Sequence, residues 1–370
     1  MHIWLNSLSF LINFTFGVLL VILPSVNEAS AGIAYGMFFL AKMLFLIPAG
    51  CLGDRIGHSR GILMAILLQI GGLLTIDLLP HWVWVGRLLE GMALAQGTVS
   101  VISLYRLETS VFGDFSSRIT KLLTFSSAGF LLGPPFGYAI SSFGPSFILR
   151  MLATVYLLTI PIHFLSTPLL KKMPENQIHD FSFEPNSLEP LVEIKHKLPW
   201  VVTLAAVKGL ALGWLPLITW WTKQKMEYGT LWAGAGFIVL GLAFMCGTRL
   251  KASWLILIGP LSFGLLEFAS PENTWAWWTG LLMLGTWYGS GIATSTSQLG
   301  WSDTEKLGQY NSFWMLMTET LAAIVPMVIW KWRYETSAIN GRVWVMLCLL
   351  ILGLTGPLSK NLVAKRISTQ

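Results

Sequence analysis

The chain has 370 residues, of which 54% are hydrophobic and only 11% charged, and its formal net charge is +6. A water-soluble domain carries roughly a quarter charged residues, so this composition cannot coat a soluble globule and points to an integral membrane protein. A mean hydropathy of +0.65 and 18 Trp agree with that, because indole rings favour the boundary between hydrocarbon and water. The basic residues are scattered through short loops rather than gathered in one patch, so the positive charge does not read as nucleic-acid binding. Cys51, Cys246 and Cys348 lie far apart, with no CxxC or Cys/His spacing, so neither a disulfide framework nor a metal site is expected.

About 20 apolar residues are needed to cross the hydrocarbon as a helix. Twelve runs meet that need, near 4–24, 31–52, 61–79, 82–104, 120–141, 147–166, 198–221, 230–247, 253–269, 275–298, 309–331 and 342–359. The first is read as a span rather than a leader, because no Lys or Arg precedes it and the run is too long. The expected fold is all-α and membrane-embedded, with twelve transmembrane helices in two six-helix bundles. Residues 1–166 form the N-terminal bundle and 198–359 the C-terminal bundle. Between them, 167–197 is a polar cytoplasmic linker, and 360–370 is a cytoplasmic tail. Fifteen of the 24 Lys and Arg fall on the side of the termini and five on the other, with four inside the runs. Positive charge marks the cytoplasmic side, which puts both termini in the cytoplasm. The compact loops point to a bacterial inner membrane.

Between the second and third runs stands Gly50-x-Leu52-Gly53-Asp54-Arg55-x-Gly57-x-x-Arg60. Gly50 and Gly53 suit a close approach of helices, and Gly57 a tight turn. Asp54 suits a helix N-terminus, and Arg55 and Arg60 anchor the inner face. This stretch resembles the loop between spans two and three of the major facilitator superfamily, with His58 and Ser59 where that family usually has basic residues. The resemblance implies a conformational latch between the two halves, formed by these residues. His58 would add sensitivity to pH.

Two further stretches carry the same likeness. Arg87-Leu88-Leu89-Glu90-Gly91-Met92-Ala93-Leu94-Ala95 is similar to the family's R-x-x-Q-G-x-G-A-A pattern, with Glu90 in the Gln position. The likeness implies a role for Arg87 in proton movement, and Glu90 adds a titratable group beside it. Gly129-Phe130-Leu131-Leu132-Gly133-Pro134-Pro135-Phe136-Gly137-Tyr138 resembles the span-five pattern of the superfamily's exporting antiporters. Gly129, Gly133, Pro134 and Gly137 would there make a bent, closely packing helix. A monomer is the family expectation.

Charges inside a bilayer are functional hypotheses by default. Lys42, Arg87, Glu90, Lys208 and Glu319 fall well inside their runs, whereas Asp77, Arg150 and Glu267 lie nearer span ends, where snorkelling accounts for them. Arg87 and Glu90, three residues apart, share a helix face and make a local pair. In the family fold spans two and eleven face each other, so a Lys42–Glu319 pair is one reading and two separate wet sites the other. Arg87, Glu90 and Glu319 are the candidates for proton coupling. The candidate substrate cavity has Lys42, Lys208, Trp214, Trp287, Tyr288 and Thr294, aromatic and hydroxyl groups that suit a small amphipathic molecule.

Three central cations against two carboxylates lean toward an anion. The expected function is proton-coupled export of a small, anionic organic molecule by alternating access, driven by the proton gradient with no cofactor. Efflux of lipophilic cations, and uptake of a nutrient or acidic siderophore, remain open on the same fold. No phosphate loop, nucleophile elbow or metal-ligand spacing is present, which argues against an enzyme.

Overall fold

The computed structural model describes residues 2–112, 115–171, 230–250 and 258–299, with single positions between 207 and 226. The chain divides into two compact units. Met1–Glu184 makes most of the first, and Pro185–Tyr310 with Met317–Gln370 makes the second.

The first unit contains α1 (His2–Val26), α2 (Glu28–Ile56), α3 (His58–Leu78), α4 (Val83–Phe112), α5 (Phe115–Ile140) and α6 (Pro145–Lys171). They follow the six apolar runs of the first half to within several residues. Short 3-10 turns at Pro80–Trp82 and Ser141–Phe143 lead into α4 and α6. Helices are what a lipid environment permits, because each backbone group finds its partner inside the segment. Among the described residues, six helices are long and apolar enough to cross a membrane, five here and Trp232–Arg249 in the second unit.

The helix ends have local causes. Asn27 caps α2 by accepting from the Ser30 N–H at 3.2 Å. Gly57 ends α2 and begins α3 with φ +87°, and a Cβ there would meet nothing within 4 Å. Its glycine is therefore required by the left-handed backbone and not by crowding.

Within this unit α1 packs on α5, α2 on α4, and α3 on both α4 and α6. Gly129, Gly133 and Gly137 recur every fourth residue, which sets them on one stripe of α5. That stripe faces α1. A Cβ at Gly129 would strike the Phe10 carbonyl, one at Gly133 would lie 2.8 Å from Gly17 Cα, and one at Gly137 3.2 Å from the Val18 carbonyl. Gly17 answers from α1, since a Cβ there would sit 2.7 Å from Pro134 Cδ. Pro134 thus fits the notch that Gly17 leaves.

In the second unit α7 (Thr230–Arg249) and α8 (Ile258–Phe268) pack on α9 (Thr274–Leu299). Gly285 and Gly289 press α9 onto α7, with Cβ positions 2.7 Å from Ala243 Cβ and 2.9 Å from Thr248 N. Ser290 Oγ donates to the Leu250 carbonyl at 2.7 Å, just past the end of α7.

The α1–α5 seam should be intolerant of a single methyl. Gly133→Ala is expected to cost about 1–3 kcal/mol by overpacking and to lower the unfolding temperature in detergent by several degrees. Gly264→Ala, inside α8 where a Cβ meets nothing within 4 Å, should leave it unchanged or raise it slightly. Paired melts of the two variants check this.

Candidate functional site

One turn into α4, Arg87 and Glu90 are both fully buried. Arg87 Nη1 donates to Glu90 Oε2 in a direct ion pair. The second carboxylate oxygen, Oε1, accepts from Gln69 Nε2 of α3 at 3.2 Å. Glycines make that reach possible. A Cβ at Gly72 would lie 2.6 Å from Glu90 Cγ, and one at Gly86 would lie 2.7 Å from the Gly72 carbonyl. Backbone contact between α3 and α4 therefore carries Gln69 to the carboxylate.

Aromatic faces surround the guanidinium. Its Cζ stands 4.3 Å from the Phe38 ring centre, 5.4 Å from Phe16 and 5.9 Å from Tyr35. A desolvated cation over ring faces gains electrostatic attraction. Arg87 Nε and Nη2 have no hydrogen-bond acceptor among the described residues, so the rings supply much of the cation's remaining environment. Gly91 brings Phe38 in, because a Cβ there would strike the Phe38 carbonyl and come within 2.9 Å of Ala41 Cβ.

Tyr35 joins this box to the proline turn of α1. Pro24 lies inside α1 and has no N–H, so the Leu20 carbonyl four residues earlier loses its usual donor. The Tyr35 hydroxyl lies 2.9 Å from that carbonyl and 3.2 Å from the Leu19 carbonyl. It thereby satisfies a group that lipid could not.

Other polar contacts tie the helices elsewhere. Tyr156 on α6 donates to Thr15 Oγ1 of α1 at 3.2 Å. Tyr105 on α4 donates to Asn6 Oδ1 of α1 at 2.8 Å. Ser59 Oγ and His163 Nε2 lie 3.3 Å apart between α3 and α6. Arg150 Nε donates to Asp77 Oδ2 at 2.7 Å, with Asp77 sheltered and Arg150 exposed. The sequence treated those two separately as snorkelling residues; they are partners of each other.

Of the proton-coupling candidates, Arg87 and Glu90 are brought together, and Glu319 lies outside the described residues. Lys42 is half-buried on α2, one turn beyond Phe38. Trp287 is 2% exposed and packed over Gly259, edge-on to Phe263 at 5.7 Å. Tyr288 is half-buried with its ring 5.0 Å from Phe244. Lys208, Trp214 and the Thr294 side chain lie outside the described residues.

Of the latch candidates, Arg55 and Arg60 are exposed, and the Asp54 side chain lies outside the described residues. Gly53 sits against His58, where a Cβ would be 2.7 Å from Nδ1. Gly50 is not crowded, its nearest neighbour being Val99 at 4.0 Å. The close helix approach expected at Gly50 lies instead at Gly61, where a Cβ would come within 2.6 Å of Gln96 Nε2.

Gln69, Tyr35 and Phe38 were not singled out from sequence. Gln69 did carry a signal, as the sole polar side chain between Gly61 and Leu74. The two aromatics lie among others like them and carry none.

The family model of the Major Facilitator Superfamily matches residues 5–327. The chain belongs to that superfamily. It is a membrane-embedded secondary transporter of a small molecule, not an enzyme, and its fold is the all-α fold of the family. A solved structure of the nucleoside transporter NupG, carrying a point mutation, is similar at a TM-score of 0.71 and 16% identity, covering 98% of this chain and 99% of that one. The human organic anion transporter MFSD10 (TETRAN) is similar at 0.67 and 15%, covering 96% and 98%. A point mutant of the E. coli fucose:proton symporter FucP is similar at 0.63 and 19%, covering 96% and 97%. At these identities the likeness is one of fold. No curated protein sequence matches the chain.

Removing one member of the Arg87–Glu90 pair should harm the transporter more than removing both. Glu90→Leu strands a buried cation, and breaking such a pair costs about 3–5 kcal/mol. Adding Arg87→Leu should restore much of that loss. Thermal melts of both single variants and the double variant form the cycle that checks it.

Proposed function

We propose that this transporter is a proton-coupled exporter of a small, amphipathic, anionic organic molecule, working by alternating access with Glu90 as its proton carrier. The carrying observation is the fully buried Arg87–Glu90 pair. With Glu90 ionised the pair is neutral; with Glu90 protonated it has one net positive charge. A charge that appears and disappears in a low-dielectric interior biases two conformations of a transporter against each other. The proton gradient is then the energy source, with no cofactor.

Export rests on the likeness of Gly129–Gly137 to the exporting antiporters. The tight α1–α5 seam built by those glycines supports a packing role for the motif. The anionic substrate rests on charge. Once Arg87 and Glu90 cancel, Lys42 and Lys208 stand against Glu319. The excess of Lys and Arg on the side of Gly57 supports a cytoplasmic position for that turn, its latch residues and both termini. A bacterial inner membrane is the proposed location.

Two measurements test this reading. Purified protein is screened by thermal shift against polycarboxylates, phosphorylated metabolites and lipophilic cations, wild type beside Lys208→Ala. A ligand at about 100 times its dissociation constant stabilises the folded state by roughly 2.7 kcal/mol. An acid that stabilises only the wild type is expected; stabilisation by lipophilic cations alone would replace the substrate class with multidrug efflux. The ligand found is then used in proteoliposomes with Glu90→Gln. That variant should keep ligand binding and exchange but lose uphill transport driven by a pH gradient. Unimpaired uphill transport would remove Glu90 from the coupling.

A further inference from the structure

The ion pair alone does not explain how Glu90 could take up a proton without leaving a buried polar group unmatched. A neutral carboxylic acid has an O–H that needs an acceptor, and an unmet donor in a dry interior costs as much as a lost hydrogen bond. Arg87 cannot serve, because a guanidinium only donates. Phe16 and Phe38 offer ring faces, and these are engaged with Arg87.

Gln69 is the group suited to the need. It is 4% exposed, and Nε2 lies 3.2 Å from Glu90 Oε1. A primary amide has a donor and an acceptor at nearly the same place, exchanged by a half-turn of its terminal torsion. Among the described residues, the other titratable and charged groups around Glu90 leave this place to Gln69. Tyr35 on α2 is turned to the α1 carbonyls. Tyr156 on α6 lies within electrostatic reach of Glu90, with its hydroxyl given to Thr15. Tyr138 on α5 neighbours Tyr35. Lys42 lies one turn beyond Phe38 on α2. Asp77 on α3 is bound to Arg150. Among the described residues of α1, Thr15 and Phe16 at this level bear no charge.

We propose that Gln69 is the positioning residue for the proton on Glu90, its amide donating to the carboxylate and, after a half-turn, accepting from the carboxylic acid. This rests on the reading of Glu90 as the proton carrier. A proton delivered by water from one side bonds to Oε1, and the carboxylate charge is lost. The Gln69 carbonyl accepts the new O–H, while Oε2 still accepts from Arg87 and the rings hold the guanidinium. Release to the other side breaks the O–H bond and returns the amide. No other bond changes.

The test is infrared difference spectroscopy between acid and alkaline pH on the full chain in lipid, with Gln side chains isotope-labelled. In the wild type a carboxylic acid band and a labelled amide carbonyl change should arise together. Glu90→Gln should lose the amide change and the Glu90 component of the acid band, which subtracting the two proteins' spectra isolates from the other carboxyl groups. Gln69→Met, which keeps the side-chain length, should keep the acid band at a shifted wavenumber and lose the amide component. Its gradient-driven transport should fall roughly tenfold, the factor for one lost hydrogen bond to a charged group. Gln69→Asn, too short to reach Oε1, should behave alike and serves if the Met variant does not fold. An amide component that survives in Gln69→Met, or an acid band unmoved in both variants, overturns the role of Gln69. An acid band identical in wild type and Glu90→Gln overturns the reading of Glu90 itself, so the two failures are distinct.

Discussion

A cation and a carboxylate sealed inside a membrane bundle persist only if the helices around them come close enough to supply partners. Lipid offers none. The first unit meets this demand with glycine. Gly72 and Gly86 bring α3 onto α4, so that Gln69 reaches Glu90. Gly91 brings α2 onto α4, so that the Phe38 face covers Arg87. Gly17, Gly129 and Gly133 bring α1 onto α5, and Phe16 completes the aromatic wall from the α1 side. The glycine pattern and the buried charge are thus one design constraint seen twice.

How far the sequence disclosed this depends on the kind of signal. Apolar runs interrupted by Gly, Pro and charged turns placed the six helices of the first unit, because span length is set by hydrocarbon thickness. The i, i+3 spacing of Arg87 and Glu90 disclosed their pairing, because it is a local property of one helix. Long-range partners had no such signature. Asp77 and Arg150 are 73 residues apart and meet only because α3 packs on α6. Gly17 has no neighbour in sequence to show that it answers Pro134. Tyr35 sits in a run with Phe38 and Phe39, and only the missing N–H of Pro24 in another helix explains its hydroxyl.

Tyr35 also ties the site to α1. Its ring faces the Arg87 guanidinium, while its hydroxyl donates to the Leu19 and Leu20 carbonyls of α1. One side chain therefore touches both the cation on α4 and the carbonyl that Pro24 leaves without its helical donor.

The second unit shows that the ion pair is not needed for packing. Gly91 on α4 meets the Phe38 carbonyl and Ala41 of α2. Gly285 on α9 meets the Leu240 carbonyl and Ala243 of α7 in the same i, i+3 geometry. Counting back from those glycines, Glu90 and Arg87 of α4 correspond to Leu284 and Leu281 of α9, both buried. Leucines at the corresponding positions pack a like helix pair without charge. A buried ion pair contributes little stability over such apolar residues and often less than they do. Packing therefore does not account for its presence on α4, and leucine lacks the one property that the proposed coupling requires of Glu90, a group that can gain and lose a proton.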